Sequence, residues 1–218
     1  MSNLILFTSG STKEAKEVEH SWDFINTRID ISIKELELTK DDVVINVLPF
    51  NVIGYHTIMA GPATKVGATL IHMNFDPYAY IRMFNKYQPT IIGLIPKHIE
   101  LLQQTKGFDT LDMTCVRYMI MGSQNVPQSM IDMLLAKGIK TIGNWYGSTE
   151  YPPPVMIAHN GSRFESHNFG YQVTFDSDGL CYVNGEPTGD VFDTESYTFL
   201  KRKTDVSNFN TWKNKPQG

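Results

Sequence analysis

Short apolar runs alternate with stretches of helical periodicity over most of the chain. The runs include 43–48, 68–73 and 90–96, whereas between 22 and 36 the apolar residues recur every three or four positions, as on one helix face. Parallel strands are covered on both sides by crossover helices, so their sequences read as nearly continuous apolar runs. From Leu4 to Tyr146 the sequence therefore predicts an α/β fold with a mostly parallel sheet flanked by helices.

Two of the predicted helices carry their own start and stop signals. Asp76 is suited to cap a helix that begins at Pro77, because its carboxylate accepts hydrogen bonds from the unpaired amides of a first turn. A second helix is predicted from Pro127 to Ala136, and Gly138 is expected to end it. Both helices fall between apolar runs, as crossover helices do.

After the segment "YPPPV", residues 151–155, the pattern changes to short alternating stretches. Turn dipeptides occur at Asn160-Gly161, Asp178-Gly179 and Asn184-Gly185, which predicts small antiparallel β structure. The predicted organisation is an α/β core over 1–154, a small β-rich subdomain over 155–205 and a polar C-terminal tail over 206–218.

The composition and charge of the chain disfavour some partners and locations. The net charge of -4 and the pI near 5.8 disfavour nucleic acid as a partner, and no apolar run is long enough to span a membrane. The first residues, MSNLILF, lack the features of a secretory signal peptide. Cys115 and Cys181 each stand in a run that reads as a buried strand, so free thiols in a reducing, cytoplasmic setting are expected. The histidines show no spacing typical of metal ligands.

Polar loops at strand ends are the candidate binding sites, because ligands of open α/β sheets bind where strands end. The first loop, Thr8–Lys16, combines several hydroxyls with Gly10 and a lysine, a composition suited to gripping phosphate through backbone amides and a cation. It is not a P-loop, whose spacing would require a glycine at position 15. The alternative interpretation is a polar turn that joins the two strands of a hairpin.

Two further loops offer other parts of a nucleotide site. In "NWYGSTE", Tyr146 offers a ring for stacking on a base, Thr149 a donor for phosphate, and Glu150 a carboxylate for Mg²⁺. In "PTGDVFD", Asp190 stands where its carboxylate can accept hydrogen bonds from both hydroxyls of a ribose. Taken singly, each segment is equally consistent with an ordinary turn.

Taken in order, the motifs resemble those of the adenylate-forming enzymes, which include acyl- and aryl-CoA ligases, peptide-synthetase adenylation domains and luciferases. "TSGSTKEAK" is similar to the family's phosphate-binding signature TSG[ST]TGxPK, and "NWYGSTE" contains its YGxTE motif without a gap. "TGD" resembles the ribose-binding motif, and "FLKRKTDV" resembles the hinge segment that follows it. "MIMGSQNVP" stands where the family has a glycine-rich segment beside the adenine, and the resemblance covers about Leu4 to Trp212.

The resemblance implies a role for each motif residue. The phosphates of ATP would be held by Thr8, Ser9, Gly10, Ser11, Thr12 and Lys16. The adenine would be bordered by Ser123 and Gln124 and contacted by the segment Asn144, Trp145, Tyr146 and Gly147, with Tyr146 stacked on it. Asp190, with Arg202 nearby, would hold the ribose. The expected catalytic residues are Lys16, Thr149 at the α-phosphate and Glu150 as the Mg²⁺ ligand.

The family reaction is attack of a carboxylate on the α-phosphorus of ATP, which gives an acyl-adenylate and pyrophosphate. The resemblance thus implies ATP, Mg²⁺ and a small carboxylic acid as ligands, and leaves coenzyme A or another thiol open as an acceptor. No nucleic acid and no membrane are expected as partners.

Several features depart from the family pattern. Lys13, Ala15 and Glu17 replace glycine, proline and glycine of the phosphate loop, and Asn51 stands where an aromatic residue or histidine is usual. Family members carry a longer N-terminal region and a C-terminal lid domain, whose lysine has no counterpart here. We therefore expect a partner chain to supply a lid, and we expect a homodimer.

Two hypotheses about function stay open. The chain is either a minimal adenylate-forming ligase or a non-catalytic ATP- or AMP-binding regulatory module on the same fold, and the change to Lys13 favours the module. Met119 and Met121 alternate on one predicted strand, so their face is expected either to fill the core or to line an acyl pocket.

Overall fold

The computed structural model describes residues 3–8, 16–165 and 169–202, and the chain divides into two compact units between Gly170 and Tyr171. The strands described in the first unit are β1 Leu4–Phe7, β2 Glu17–His20, β3 Val43–Asn46, β4 Thr69–His72, β5 Ile91–Gly93, β6 Tyr118–Gly122, β7 Ile142–Tyr146 and β8 Met156–His159. The helices described there are α1 Trp22–Glu35, α2 Ala60–Val66, α3 Pro77–Tyr87, α4 Pro96–Gln103 and α5 Gln128–Ala136, with a π-helical turn at Tyr55–Met59 leading into α2. The strands described in the second unit are β9 Val173–Phe175, β10 Leu180–Val183, β11 Glu186–Phe192 and β12 Phe199–Arg202.

The main sheet is mostly parallel and is covered on both faces. Its strands lie in the order β4-β3-β5-β6-β7-β8, and every neighbouring pair is parallel except β7 with β8. Alternate residues face opposite ways, so Ile45 and Ile92 pack in the cluster with α3, α4 and α5, whereas Val44 and Ile91 pack in the cluster with α2 and the π-helical turn. This architecture confirms the predicted α/β fold.

The helix signals read from the sequence are confirmed. The Asp76 carboxylate accepts a hydrogen bond from the Ala79 amide at 2.7 Å, and Pro77 is the first residue of α3. Pro127 precedes α5 by one residue, and Gly138, in the left-handed region at φ 98°, follows its end. In each case the residue types at the helix end predicted the observed helix boundary to within one residue.

The first strand does not join the main sheet as the alternating pattern predicted. β1 pairs antiparallel with β2 in a separate hairpin, with Leu6 opposite Val18 and Leu4 opposite His20. The buried Leu6 packs with Ile25 of α1, which holds the hairpin against the first helix. This pairing agrees with the alternative of a turn within a hairpin, although residues 9–15 lie outside the described part of the chain.

The boundary of the β-rich part also differs from the prediction at residue 155. Strand β8 runs back along β7, with Tyr146 opposite Met156, and therefore belongs to the main sheet. The second unit begins only at Tyr171, and its described strands form an antiparallel sheet in the order β12-β11-β10-β9. Gly179 and Asn184-Gly185 adopt positive φ in the turns that join β9, β10 and β11, as their sequences predicted.

The cysteine prediction is right for one residue and wrong for the other. Cys181 is buried in β10, but Cys115 lies in a turn before β6 and is only partly buried. Both are free thiols in the structure. No helix among the described residues is both long and apolar enough to cross a bilayer.

A partly buried ion pair joins the amino ends of three neighbouring strands. Arg117 donates to both carboxylate oxygens of Asp42, from Nε at 2.8 Å and from Nη2 at 2.7 Å, and Thr90 donates to the same carboxylate at 2.7 Å. Burial alone would raise the pKa of Asp42, but the hydrogen bonds from Arg117, Thr90 and the Thr39 amide outweigh it and lower that pKa to about 2. The cluster stabilises the end of the sheet opposite to the carboxyl ends of the strands.

Candidate functional site

The carboxyl ends of β3, β5, β6 and β7 meet at one edge of the main sheet, where the loops that follow them surround a cavity of about 370 Å³. Its walls are largely apolar and include Leu48, Ile53, Ile58, Met59, Leu94 and Ile120. The hydroxyl and ionisable side chains that line it are Ser123, Ser148, Thr149 and His98. The volume lies in the range of small-molecule sites, so the cavity can hold a compact apolar ligand beside a polar rim.

Four of the residues predicted from the motifs line this one cavity: Ser123, Trp145, Gly147 and Thr149. Ser123 is exposed and adopts φ 65°, so β6 ends in a sharp turn that places this residue at the rim. Trp145 is buried, and its indole donates to the Tyr118 hydroxyl at 3.1 Å. These motif residues of the β6 and β7 segments therefore lie around one cavity.

The other predicted residues of these two segments have different surroundings. Gln124 is exposed beyond Ser123, and Asn144 is buried within β7. Tyr146, at the end of β7, is partly buried and meets Phe164 edge to face at 6.1 Å between ring centroids. Asn51, noted as a departure from the family pattern, is exposed, whereas the following Val52, Ile53 and Gly54 line the cavity.

The loop that follows β7 is tightly folded. The Ser148 amide donates to the Tyr151 carbonyl at 2.9 Å, and the Tyr151 amide donates back to the Ser148 hydroxyl at 3.2 Å. A Cβ atom at Gly147 would lie 2.8–2.9 Å from the Cβ, Cα and N atoms of Pro153. Only glycine fits this close approach, which fixes where Ser148 and Thr149 lie along the rim.

His20 ties this loop to the β1–β2 hairpin. Its Nε2 lies 2.7 Å from the Thr149 carbonyl oxygen, and because a carbonyl only accepts, Nε2 carries the proton. Burial lowers the pKa of His20, and the hydrogen bond to Thr149 and the charge of Glu150 only partly oppose that shift, so the ring is neutral at pH 7. The strand that follows the predicted phosphate loop is thus held directly against Thr149.

Sequence reasoning missed this role of His20, which it considered only as a metal ligand. The available signal was the alternation Glu17-Val18-Glu19-His20, which places a histidine on the inward face of a short charged strand. The partner atom is a backbone carbonyl 129 residues away, which no local pattern reveals.

The ends of the first predicted loop are described. The Thr8 amide donates to the Lys16 carbonyl at 2.9 Å, and the Lys16 amide donates to the Thr8 hydroxyl at 3.2 Å. These bonds extend the hairpin by one pair and close the base of the loop. Ser9, Gly10, Ser11 and Thr12 lie outside the described residues, so their predicted contacts with phosphate stay predictions.

In the second unit, Asp190 and Arg202 are paired. Gly189 has φ 81°, and the buried Asp190 carboxylate accepts from Arg202 Nε at 2.7 Å and from Nη2 at 2.9 Å. The two residues are also cross-strand neighbours in β11 and β12, which presets this geometry. Arg202 thus fixes the orientation of the Asp190 carboxylate.

The residues present suit Mg²⁺ only when the ion is bound together with a nucleotide, whose phosphates would supply further ligands. Within the described ranges, no three His, Cys, Asp or Glu side chains are grouped so that they could hold a metal ion. Glu150 is a single, partly buried carboxylate next to Thr149. Mg²⁺ is commonly bound by one or two carboxylates together with substrate phosphates, and Glu150 suits that mode.

Comparison with solved structures supports the fold. The chain superposes with a TM-score of 0.74 on O-succinylbenzoate coenzyme A synthetase from Bacillus subtilis in complex with AMP, at 18% identity over 92% of this chain and 49% of that one. The same synthetase in complex with ATP and magnesium ion gives a TM-score of 0.74 at 17% identity, over 91% of this chain and 49% of the other. At such identities the likeness shows a shared fold alone.

Comparison of sequences identifies the family. Indoleacetate–CoA ligase from Aromatoleum aromaticum is 30% identical over 156 residues, and 4-coumarate–CoA ligase 5 from Oryza sativa subsp. japonica is 28% identical over 157 residues. Each match covers 69% of this chain but only 29% of the relative, so the chain spans less than a third of these relatives. The family model for AMP-binding enzymes matches residues 3–177. The chain therefore belongs to the AMP-binding enzyme family, as its motifs suggested.

Proposed function

We propose that the protein binds ATP with Mg²⁺ and activates a small carboxylic acid as an acyl-adenylate, with release of pyrophosphate. The observation that carries this proposal is the position of Thr149. It stands at the polar rim of an apolar cavity, and His20 holds it against the strand that follows the predicted phosphate loop. An acid in the cavity and a phosphate at the loop would thus meet at one residue.

The cavity suits the acid and not the nucleotide phosphates. Its walls are aliphatic and aromatic, so they favour an uncharged tail through the hydrophobic effect. Ser123, Ser148 and Thr149 line its β6 and β7 side and offer hydroxyls to a carboxylate. The proposed orientation therefore points the carboxylate to Thr149 and the tail into the apolar part.

Other residues would position the nucleotide. Ser123 would border the adenine and Tyr146 would stack on it, in keeping with the family motifs. Thr8 and Lys16, at the closed base of the hairpin loop, would contribute to gripping the phosphates. In the second unit, Asp190 is proposed to accept hydrogen bonds from the ribose hydroxyls, oriented by Arg202.

In the proposed reaction, a carboxylate oxygen forms a bond to the α-phosphorus while the bond from that phosphorus to the bridging oxygen of pyrophosphate breaks, and the electron pair leaves with pyrophosphate. When bound, Mg²⁺ would be held by Glu150 and phosphate oxygens, where it would neutralise phosphate charge. The Thr149 hydroxyl would donate to an α-phosphate oxygen, and Lys16 would add positive charge near the leaving group. The apolar walls would keep water away from the acyl-adenylate.

A second candidate is a module that binds AMP without catalysis. Glu17 is exposed and directly follows Lys16, so it adds a negative charge beside the loop expected to hold a polyphosphate. That charge disfavours ATP relative to AMP, which carries fewer phosphate charges.

Pyrophosphate release with ATP, Mg²⁺ and a panel of aryl- and alkyl-carboxylic acids tests the proposal, beside calorimetric titrations with ATP and with AMP. Pyrophosphate formation that depends on one class of acid would support the ligase. Binding of AMP without pyrophosphate from any acid would support the module instead. Absence of binding by either nucleotide would contradict both candidates.

We also propose a cellular compartment, an assembly and an acyl acceptor for the protein. The free thiols of Cys115 and Cys181 suit a reducing compartment, which favours the cytoplasm. Ile5 and Phe7 of β1 are 49% and 60% exposed, and such apolar side chains would be covered in a homodimer or by a partner chain that supplies a lid. Coenzyme A, or another thiol, is the proposed acceptor of the acyl group, by analogy with the coenzyme A ligases among the relatives.

A further inference from the structure

A chain of hydrogen bonds runs from the wall of the cavity towards the protein surface. Trp145 lines the cavity from β7, and its buried indole donates from Nε1 to the Tyr118 hydroxyl of β6 at 3.1 Å. The Tyr118 oxygen lies 3.2 Å from Nε2 of His159 in β8, and the same nitrogen lies 2.9 Å from Oε1 of Glu35, the last residue of α1. Tyr118 is buried, whereas His159 and Glu35 are partly exposed. The chain thus links one wall of the cavity to solvent.

The chemistry of these groups decides which atoms donate. An indole N–H can only donate, so the Tyr118 oxygen accepts from Trp145. An ionised carboxylate only accepts, so Nε2 of His159 carries a proton and donates it to Glu35. Because that nitrogen already carries a proton, the Tyr118 oxygen meets it as an acceptor as well. The Tyr118 oxygen is therefore held between two N–H groups.

The backbone leaves space for this contact at Gly143. A Cβ atom there would lie 2.3 Å from the Tyr118 hydroxyl oxygen and 2.5 Å from Trp145 Nε1. Both distances are far below van der Waals contact, so a side chain at this position would displace the hydrogen bond between the two rings. Glycine at residue 143 is thus a second, independent feature that preserves the contact.

The surroundings of His159 favour its charged form. The hydrogen bond to Glu35 raises the pKa of His159, burial lowers it, and the charges of Glu35 and Glu165 raise it further. Glu35 reaches the imidazole from α1 and Tyr118 from β6, whereas Glu165 follows β8 in the chain. Because the folded pKa lies above the ordinary 6.5, the stabilisation from the charged pair is fully present below about pH 6.5 and is lost as pH rises through the folded pKa.

Hydrogen bonds from a charged donor are about twice as strong as those between neutral groups. The charged imidazole therefore holds Glu35 and the Tyr118 oxygen more firmly than the neutral imidazole does. We propose that Tyr118 and His159 are positioning residues for Trp145, and that the charge on His159 sets how firmly the indole is held in the cavity wall. This inference does not depend on the proposed function, because Trp145 lines the cavity whichever ligand binds there. A ligand packed against Trp145 should bind more tightly when His159 is charged.

The test follows two groups of the full chain by nuclear magnetic resonance while pH is raised from about 5.5 to about 9. The ring resonances of His159 give its titration midpoint, and the indole Nε1–H of Trp145 reports on its hydrogen bond to Tyr118. We expect a His159 midpoint above 6.5 and a shift of the Trp145 indole resonance with the same midpoint. A residue with a purely structural role would not make the indole follow the charge of His159.

Two variants separate the charge from the link. Glu35→Gln removes the charge of the partner and keeps its size, so the midpoints of His159 and Trp145 should fall together. Tyr118→Phe removes the hydroxyl and keeps the charged pair, so His159 should still titrate and Trp145 should lose its response.

Asp30→Asn is the matched control. Asp30 is an exposed carboxylate of the same helix α1 and pairs with Lys65, outside the chain of hydrogen bonds. Its replacement should leave the midpoints of His159 and Trp145 unchanged.

A His159 midpoint at or below 6.5, or an indole resonance that stays constant while His159 titrates, would overturn the inference. An equal indole response in Tyr118→Phe would also overturn it, because the charge would then act through space and not through the hydroxyl. If Tyr118→Phe did not fold, Ile120 of the wild type would decide, since it packs in the same cluster as Trp145 and also lines the cavity. Nuclear Overhauser cross-peaks between Trp145 and Ile120 should weaken as His159 loses its charge, and constant intensities would overturn the inference.

Discussion

Replacing Gly147 by alanine tests whether the loop after β7 must follow its observed path. The added Cβ would lie 2.8 Å from Pro153 Cβ and 2.9 Å from its Cα and N atoms, whereas comfortable contacts between carbon atoms begin at about 3.5 Å. Two of these three atoms are backbone atoms, and the third belongs to a rigid ring, so no side-chain rotation relieves the clash. Overpacking of this kind costs roughly 1–3 kcal/mol, and here the loop must move by about half an ångström or more.

The movement would displace Thr149, two residues along, from the rim of the cavity. We expect Gly147→Ala to weaken AMP binding about tenfold, because misplacement of a positioning group by a fraction of an ångström to 1 Å carries penalties of this order or larger. Calorimetric titration with AMP gives the affinity, and urea unfolding gives the stability.

Gly161→Ala is the matched control. Its added Cβ would have its nearest neighbours at 3.6 and 3.7 Å, in ordinary contact, so its free energy of unfolding should change by less than about 0.5 kcal/mol. If Gly147→Ala matched Gly161→Ala in both AMP affinity and stability, the reasoning about this loop would be refuted.

Three further predictions concern single side chains. Asp42→Asn should lower the free energy of unfolding at pH 7 by about 2–3 kcal/mol. Because the folded pKa of Asp42, about 2, lies below the ordinary 3.8, the wild type should lose this stability as pH falls from about 4 to 2, and the variant should not. Urea titrations across that range measure the difference, and parallel curves for the two proteins would contradict the prediction. His20→Leu should weaken AMP binding severalfold through loss of the bond to the Thr149 carbonyl, measured by calorimetry, and an unaltered affinity would argue against coupling of the hairpin to that loop. Asp190→Ala should reduce affinity for AMP by roughly 1.5–3 kcal/mol with a smaller effect on 2′,3′-dideoxy-AMP, and equal losses for the two nucleotides would exclude a bond to the ribose hydroxyls.

Elements whose signals are local could be predicted from the sequence. The runs that became β3, β5 and β6 are buried on both faces, so their apolar composition alone marks them as central parallel strands. The start of α3 was set by the Asp76 cap and Pro77, which act within one helical turn. The order of the motifs was sufficient to identify the family.

Elements defined by tertiary pairing could not be predicted in the same way. β2 is a four-residue strand with two glutamates, and only its pairing with β1 reveals it. β8 looked like the start of the β-rich part because nothing in its own residues shows that it returns along β7. Cys115 read as part of a strand because it and Val116 are apolar and stand just before β6, which begins at Tyr118.

The cavity could not be predicted from the sequence for a related reason. Its walls come from segments far apart in the chain, such as Ile53 beside the π-helical turn, Leu94 after β5 and Pro153 after β7. Met121 illustrates the ambiguity, since it both packs in the core and lines the cavity, whereas Met119 packs in the core. The core expectation is confirmed for both residues, and an acyl pocket at Met121 stays a prediction.

The central claim is that nucleotide and acid meet at Thr149 on the rim of the apolar cavity. A crystal structure of the protein soaked with AMP and 3-(4-methoxyphenyl)propanoate tests it most directly. We predict that the phosphate lies within hydrogen-bonding distance of the Thr149 hydroxyl, the adenine beside Tyr146 and the aryl group inside the cavity. AMP bound away from Thr149, or an acid bound outside the cavity, would contradict it.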